Sequence, residues 1–380
     1  MKKLLVVLMC ISILTGCGTR TEPAKSVVQE GTEESASTTL TSNSFQEEKT
    51  ADEYYKIGCD YRDGVGTTRD YVKAMECFEK ALELGNYDAA CEIGCLYLYG
   101  YGVEKDYEKS LTYMQKSSDK GNPTATSNIG YFYMYGLGVE QDFAKAKMYF
   151  EEAVDKGNGP AACNLGYLYQ NGWGVEQDYG KAKLYYEIGD ERGDGASSNL
   201  LGYMYAFGLG VEQDYVKAKG YLEKGVERKN GSAAGNLAEL YRYGLGVEQD
   251  YTKVIEYYEK AVEWGDGNSA CNLGYIYHVG DGVEQDYERA KMYYERGIEL
   301  GNGAAANNVA SMYLQGNGVE QNYAMAMEYC KIGMELGNST SAYSLGYMYY
   351  YGLGVEADYN KAKEMYDIAC ASGEQFAWYE

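Results

Sequence analysis

The sequence predicts an all-α solenoid of nine helical hairpins, and three observations carry that expectation. A 36-residue unit recurs without insertion, each unit holds two stretches of helical hydrophobic spacing, and a Gly-x-Gly step separates them. A fixed period of this size marks an array in which each unit buries its apolar face only against its neighbours.

The marker step stands at Gly100-Tyr101-Gly102, Gly136-Leu137-Gly138, Gly172-Trp173-Gly174 and Gly208-Leu209-Gly210, each followed by Val. It continues from Gly244, Gly280, Gly316 and Gly352, after a worn first copy at Gly64-Val65-Gly66. In the unit opening near Ser197, Leu201, Met204 and Tyr205 fall at spacings of three and four, the core stripe of a first helix. Gly202 beside them recurs as Gly94, Gly130, Gly166, Gly274 and Gly346. Glycine inside a helix costs up to about 1 kcal/mol against Ala, so its return in each copy predicts close approach of a second helix. Gly208 and Gly210 end the first helix and supply left-handed backbone. Val211 is expected beneath the turn, and Asp214 at the N-cap of the second helix. That cap recurs at Asp106, Asp142, Asp178, Asp250, Asp286 and Asp358, with Asn322 once in its place. The second helix turns Ala218, Tyr221 and Leu222 inward and Lys217 and Lys219 outward.

The ends read differently. Lys2 and Lys3 precede an apolar run over residues 4–14, too short to span a bilayer but fitted to an export signal. It closes in Leu14-Thr15-Gly16-Cys17, which resembles the bacterial lipobox. That resemblance implies cleavage of residues 1–16, a lipid on the Cys17 thiol, and a membrane-anchored protein facing the extracytoplasmic side. Residues 17–50 are rich in Ser, Thr and Glu, with Leu40 and Phe45 among very few large apolar side chains. They bury too little to offset chain entropy and are expected to form a disordered tether spanning about 30 Å. Almost all of the net charge of −23 falls on the repeats. A surface so acidic argues against nucleic acid and against adsorption to anionic lipid, and it suits either solubility or steering of a basic partner.

The pattern Leu-Gly-x-x-Tyr-x-x-Gly-x-Gly-Val-x-x-Asp-x-x-Lys-Ala, complete from Leu201 to Ala218, resembles the Sel-1-like repeat family of tetratricopeptide-like solenoids. The resemblance covers residues 51–373. It implies a right-handed superhelix with first helices lining a concave face, and an adaptor or scaffold that binds proteins. One departure is plain. Some exported relatives staple each hairpin to the next through cysteines eight residues apart, but Cys370 is followed at that distance by Trp378, and Cys163 and Cys271 stand one residue out of register. Packing alone is then expected to hold the array.

No chemistry emerges from the remaining reactive residues. Cys77 and Cys330 stand where other copies are mostly aromatic, as apolar substitutes. Only Cys59, Cys77, Cys91 and Cys95 are near enough in sequence to consider for a disulfide. Cys91 and Cys95 lie one helical turn apart but lack a second ligand pair, so no metal is expected. His278, the one histidine, has no nucleophile or orienting group at a useful spacing. Gly-x-Gly-Val lacks the third glycine of a dinucleotide loop, and Glu-Gln-Asp lacks the alternating ligands of a calcium loop. No cofactor and no enzymatic activity are expected.

The candidate site is a second stripe on the first helices. Its amides are Asn128, Asn164, Asn236, Asn272 and Asn308; its inner rings are Tyr131, Tyr167, Tyr203, Tyr275 and Tyr347. Its outer rings are Tyr99, Tyr135, Phe207, Tyr243 and Tyr351. Asn can bond an extended backbone, and Tyr offers flat area at little entropic cost, so the stripe reads as ladders for a peptide or protein partner. Glu239 and Ser311 interrupt the rings, placing the expected groove over residues 128–207. With 44 tyrosines, packing between repeats competes with that reading; a glycan binder and a passive spacer are the other functions considered. Residues 374–380, with Phe376, Trp378 and Tyr379, are expected to half-cap the last hairpin of a monomer, a dimer contact being the alternative.

Overall fold

The computed structural model describes residues 49–371, and every regular element among them is an α-helix. The signal, Cys17, almost all of the tether and the C-terminal half-cap lie outside the described residues. The chain divides into two compact units that meet between Ser197 and Ser198.

The first unit holds α1 (Ala51–Asp63), α2 (Tyr71–Glu83), α3 (Asp88–Tyr99), α4 (Tyr107–Ser118), α5 (Pro123–Tyr135), α6 (Phe143–Asp155), α7 (Gly159–Asn171) and α8 (Tyr179–Glu191). The division falls inside α9 (Gly195–Phe207), and the second unit continues with α10 (Tyr215–Glu227), α11 (Gly231–Tyr243), α12 (Tyr251–Glu263), α13 (Gly267–Val279) and α14 (Tyr287–Glu299). It ends with α15 (Gly303–Gln315), α16 (Tyr323–Glu335), α17 (Ser339–Tyr351) and α18 (Tyr359–Ala371). Each odd-numbered helix packs on the even-numbered helix that follows it, α9 meeting α10 where Gly202 faces Leu222. The α-solenoid of helical hairpins is the architecture that the period implied.

The turn between paired helices uses the recurring Gly, Gln and Asp of the unit. Gly136 has φ 67°, and its N–H returns to the Phe132 carbonyl. The side-chain amide of Gln141 then donates to the Met134 carbonyl at 2.9 Å, and the Asp142 carboxylate accepts the Lys145 N–H at 2.9 Å. Gln177, Gln213, Gln249, Gln285 and Gln321 repeat the first bond in their own hairpins. Glu-Gln-Asp is thus a device that satisfies two helix ends. First helices have caps of their own, at Asn122, Asn158, Asn230, Asp266, Asn302 and Asn338.

Accepting the backbone N–H three residues on holds the carboxyls of Asp70, Asp106, Asp214 and Asp358 below the ordinary carboxylate range. A depressed folded pKa contributes stability that is present above the unfolded value and lost as pH falls through the folded one. Acid titration followed by circular dichroism is therefore expected to show helix loss setting in below about pH 4.

The glycines explain the packing. A Cβ on Gly130 would lie 2.7 Å from the Phe150 ring, and one on Gly166 would lie 2.6 Å from the Tyr186 ring, so helices within a hairpin touch at these points. The second glycine of the step faces the preceding hairpin: a Cβ on Gly138 would meet Tyr107 Cβ at 2.8 Å. Val103, Val139, Val247, Val283 and Val319 lie partly buried beneath their turns. Cys59, Cys77 and Cys91 are free thiols, so no disulfide joins any two of the four cysteines considered for one. Burial pushes the Cys163 thiol far up, as fits an inert core side chain.

Candidate functional site

In the first unit the rings of the second stripe each have an aromatic neighbour. Tyr131 and Tyr135, one turn apart on α5, sit with ring centres 4.5 Å apart. Burial and then the neighbouring Tyr99 phenol push Tyr131 up to about 12. Tyr135 is pushed up to about 12 in the same way, by burial, then Tyr131 and Tyr167. Tyr99 stacks with Tyr101 at 5.4 Å, and Tyr167 meets Trp173 at 5.3 Å, edge on. Tyr135 is 39% exposed, while Tyr99, Tyr131 and Tyr167 are half-buried.

The amides are not where a peptide would need them. Asn128 is 7% and Asn164 3% exposed, and the Asn128 amide faces the Met114 sulfur at 3.7 Å. In the second unit the Asn236 amide donates to Asn199 Oδ1 at 2.7 Å, and Asn308 turns its amide to the Cys271 sulfur at 3.4 Å. The amide half of the expected site joins successive hairpins and is no open ladder. A helical wheel places these residues beside the rings but cannot show that the neighbouring hairpin covers them.

The second unit carries Tyr203 against Phe207 at 4.5 Å and Tyr347 against Tyr351 at 4.6 Å. Tyr243, Tyr275 and Tyr351 are 43%, 49% and 59% exposed. The most exposed rings of the stripe thus lie outside residues 128–207, where the groove was expected to be strongest.

Glu239 does more than interrupt the rings. It is 7% exposed, as is Arg242 one turn on, and its carboxylate accepts from the Tyr258 hydroxyl and, at 3.3 Å, from the Asn272 amide. Arg242 reaches Asp281 through Nη2 at 2.7 Å and Nε at 3.0 Å, and the Tyr251 hydroxyl donates to the same carboxylate at 2.5 Å. Burial holds the Glu239 carboxyl above the usual range, against the pull of Tyr258 and Arg242. Burial works the same way on Asp281, but there Tyr251 and Arg242 prevail and its carboxyl is lowered. The guanidinium also lies over two rings of the stripe, Tyr243 at 5.3 Å and Tyr275 at 5.8 Å.

A signal for this cluster was present in the sequence. Where the second helix buries a Tyr, as at 186, 258 and 294, the residue sixteen earlier is polar: Gln170, Arg242 and His278. Where it buries Phe150, Leu222 or Cys330, that residue is Met134, Ala206 or Leu314, with Phe78 and Arg62 in the first hairpin the exception. A buried hydroxyl needs a partner, and Gln170 accepts from Tyr186 at 3.0 Å.

The Sel1 repeat family model matches nine consecutive segments, residues 54–86, 88–122, 123–158, 159–194, 196–230, 231–266, 267–302, 303–338 and 339–374. The chain belongs to the Sel1 repeat family. A protective antigen of uropathogenic Escherichia coli with an SLR fold is 33% identical to it, over 85% of this chain and 69% of the antigen, with a TM-score of 0.49. A Sel1 repeat protein of Oxalobacter formigenes is 29% identical over 64% of this chain and 98% of its own, with a TM-score of 0.55. Yeast Tom70, at 14% identity over 88% of this chain and 67% of its own, has a TM-score of 0.50 and shares the fold alone. No curated protein matches the chain.

Sel1 repeats generally serve as protein-interaction scaffolds, and the Sel1 solenoid is typically non-catalytic. Among the described residues no group of three or more His, Cys, Asp or Glu stands close enough to hold a metal, and no helix is long and apolar enough to cross a membrane. His278 sits edge on to Tyr287 at 5.3 Å, with its pKa lowered by burial. Each unit also has an open cleft at a Sel1 turn. One of about 400 Å³ is lined by Tyr169, Glu176, Gln177, Asp178 and Lys181, and one of about 420 Å³ by the equivalent Tyr205, Glu212, Gln213, Asp214 and Lys217. In both the lysine lies over the tyrosine ring, so the chain supplies its own cation there.

Proposed function

We propose that this chain is a lipid-anchored, extracytoplasmic scaffold that takes a protein or peptide partner on the aromatic face of its first helices. The observation that carries the reading is the set of ring contacts at successive first helices, Tyr99 with Tyr101, Tyr131 with Tyr135 and Tyr167 with Trp173. Rings held half-buried by their neighbours are already ordered, so a partner gains flat contact area at little entropic cost. Membership of a family of protein-interaction scaffolds supports the same reading. The anchor rests on Lys2, Lys3, the apolar run and Cys17.

Two measurements test it. The full chain, expressed in a bacterial host fed an alkyne-bearing fatty acid, is expected to take up the label and sediment with membranes, and Cys17→Ser is expected to lose both. The full chain used as bait in an envelope extract is expected to retain a protein that a Tyr131→Leu, Tyr135→Leu, Tyr167→Leu variant of unchanged helicity does not. Equal retention by the two, or none by either, would overturn the aromatic-face assignment. Retention of cell-wall glycan instead would make the rings a sugar-stacking surface.

A further inference from the structure

We infer that the phenol pairs Tyr99/Tyr131 and Tyr135/Tyr167 receive arginine side chains from a basic segment of the partner. This deepens the scaffold reading and rests on it. The chain displays the arrangement once within itself. Tyr243 and Tyr275 are the equivalent pair in the second unit, 32 residues apart like the other two, and Arg242 lays its guanidinium over both rings, at 5.3 and 5.8 Å. At the same register the first unit has Leu98 and Met134, both apolar and buried. Its two pairs stand at the equivalent positions of successive first helices, on α3 and α5 and on α5 and α7, and among the described residues no cation lies over them. A guanidinium over an aromatic face is attracted by the ring quadrupole.

Two further observations select the ligand. In three hairpins of the first unit a lysine lies over a ring with a carboxylate beside it. Lys109, Lys145 and Lys181 lie 5.3, 5.0 and 5.1 Å from the centres of Tyr97, Tyr133 and Tyr169. Each also pairs with the cap of its own helix, Asp106, Asp142 or Asp178. Around the two phenol pairs the positions equivalent to Asp281 are Leu137 and Trp173. A strongly hydrated ammonium would lose water there without a carboxylate to replace it, whereas a guanidinium is weakly hydrated and stacks. The net charge of −23 draws a basic segment in and disfavours an acidic one. First helices of successive hairpins are neighbours, as α11 and α13 are, with axes about 10 Å apart. An extended segment of about twelve residues covers both pairs.

The test uses the purified full chain in detergent and three labelled twelve-residue peptides of alternating Ser with Arg, Lys or citrulline, followed by fluorescence anisotropy. The Arg peptide is expected to bind on the order of tenfold tighter than the citrulline peptide, which has the same shape without the charge, and tighter than the Lys peptide. Tyr99, Tyr131, Tyr135 and Tyr167 changed together to Leu is expected to remove the preference for Arg, while the same four changed to Phe keeps it, since the ring face is retained. Replacing Glu239, Arg242 and Tyr258 by Tyr, Met and Phe vacates the third pair, and one further peptide site is expected. Equal binding of Arg and Lys peptides, or an unchanged Arg preference in the folded Leu variant, would overturn the inference by leaving charge alone. Should the Leu variant unfold, the Phe variant and the peptide comparison on the unaltered chain still decide. If the aromatic face retains an envelope protein while the Arg preference is missing, this inference falls and the scaffold reading stands. If the Arg preference is found but no envelope protein is retained, the scaffold reading is what fails.

Discussion

Arg242→Ala is expected to cost about 3–5 kcal/mol, although the residue stands on a surface helix and touches no ligand. The loss leaves the Glu239 carboxylate, 7% exposed, with only hydroxyl and amide donors where a guanidinium stood. Changing the whole cluster at once is expected to do the opposite. Glu239→Tyr, Arg242→Met and Tyr258→Phe together copy the residues at the equivalent positions of the third hairpin, Tyr131, Met134 and Phe150. There the two core members, Met134 and Phe150, are fully buried with no charge to satisfy. A buried ion pair exchanged for packed apolar groups of similar volume is neutral or stabilising by about 1–4 kcal/mol. Asp281 keeps the Tyr251 hydroxyl in the triple variant, so it is not abandoned. Urea unfolding of the single and triple variants, followed by circular dichroism, checks both signs. Equal destabilisation by the two would mean that the cluster is held by geometry that the third hairpin lacks.

The second large effect belongs to the step glycines. Gly102→Ala is expected to destabilise by about 3 kcal/mol and Gly66→Ala by about 1 kcal/mol. Both have left-handed backbone, at φ 67° and 70°, so both incur the conformational cost of a Cβ. They differ in surroundings. A Cβ on Gly102 would lie 2.9 Å from the Tyr71 carbonyl carbon and 3.0 Å from the Val72 nitrogen, backbone that cannot swing aside, whereas one on Gly66 would meet nothing within 4 Å. The difference between the two urea midpoints therefore isolates the hairpin-to-hairpin contact. Equal shifts would mean that backbone angle is the whole role of the second glycine.

The period, the two helices of each unit, the caps from Asp106 to Asp358 and the tucked valines were legible because each is fixed by residues close in sequence. The buried amides were not. Asn128 and Asn164 share a stripe with Tyr131 and Tyr167 on any helical wheel, yet both amides are buried, Asn128 against Met114 of the preceding hairpin, while the rings stay partly open. Glu239 was read as a gap because repeats were aligned one column at a time. Its meaning lies on the paired helix, where the Tyr258 hydroxyl that it accepts stands nineteen residues on. The family match fixes the fold, but the first helices must be seen packed before their tyrosines can be divided between interior and surface.

Among the described residues, sixteen of the eighteen helices, α1, α2 and α5 to α18, share one length, and the unit never gains or loses a residue from Gly100 to Gly352. Removing residues 303–338 would set Asn302 directly before Ser339, where Asn338 stands now, and both asparagines cap the helix that follows. Unequal crossing-over between such copies yields a shorter or longer gene with every junction intact. Copy number is then a heritable dial that selection can turn without first passing through a misfolded intermediate.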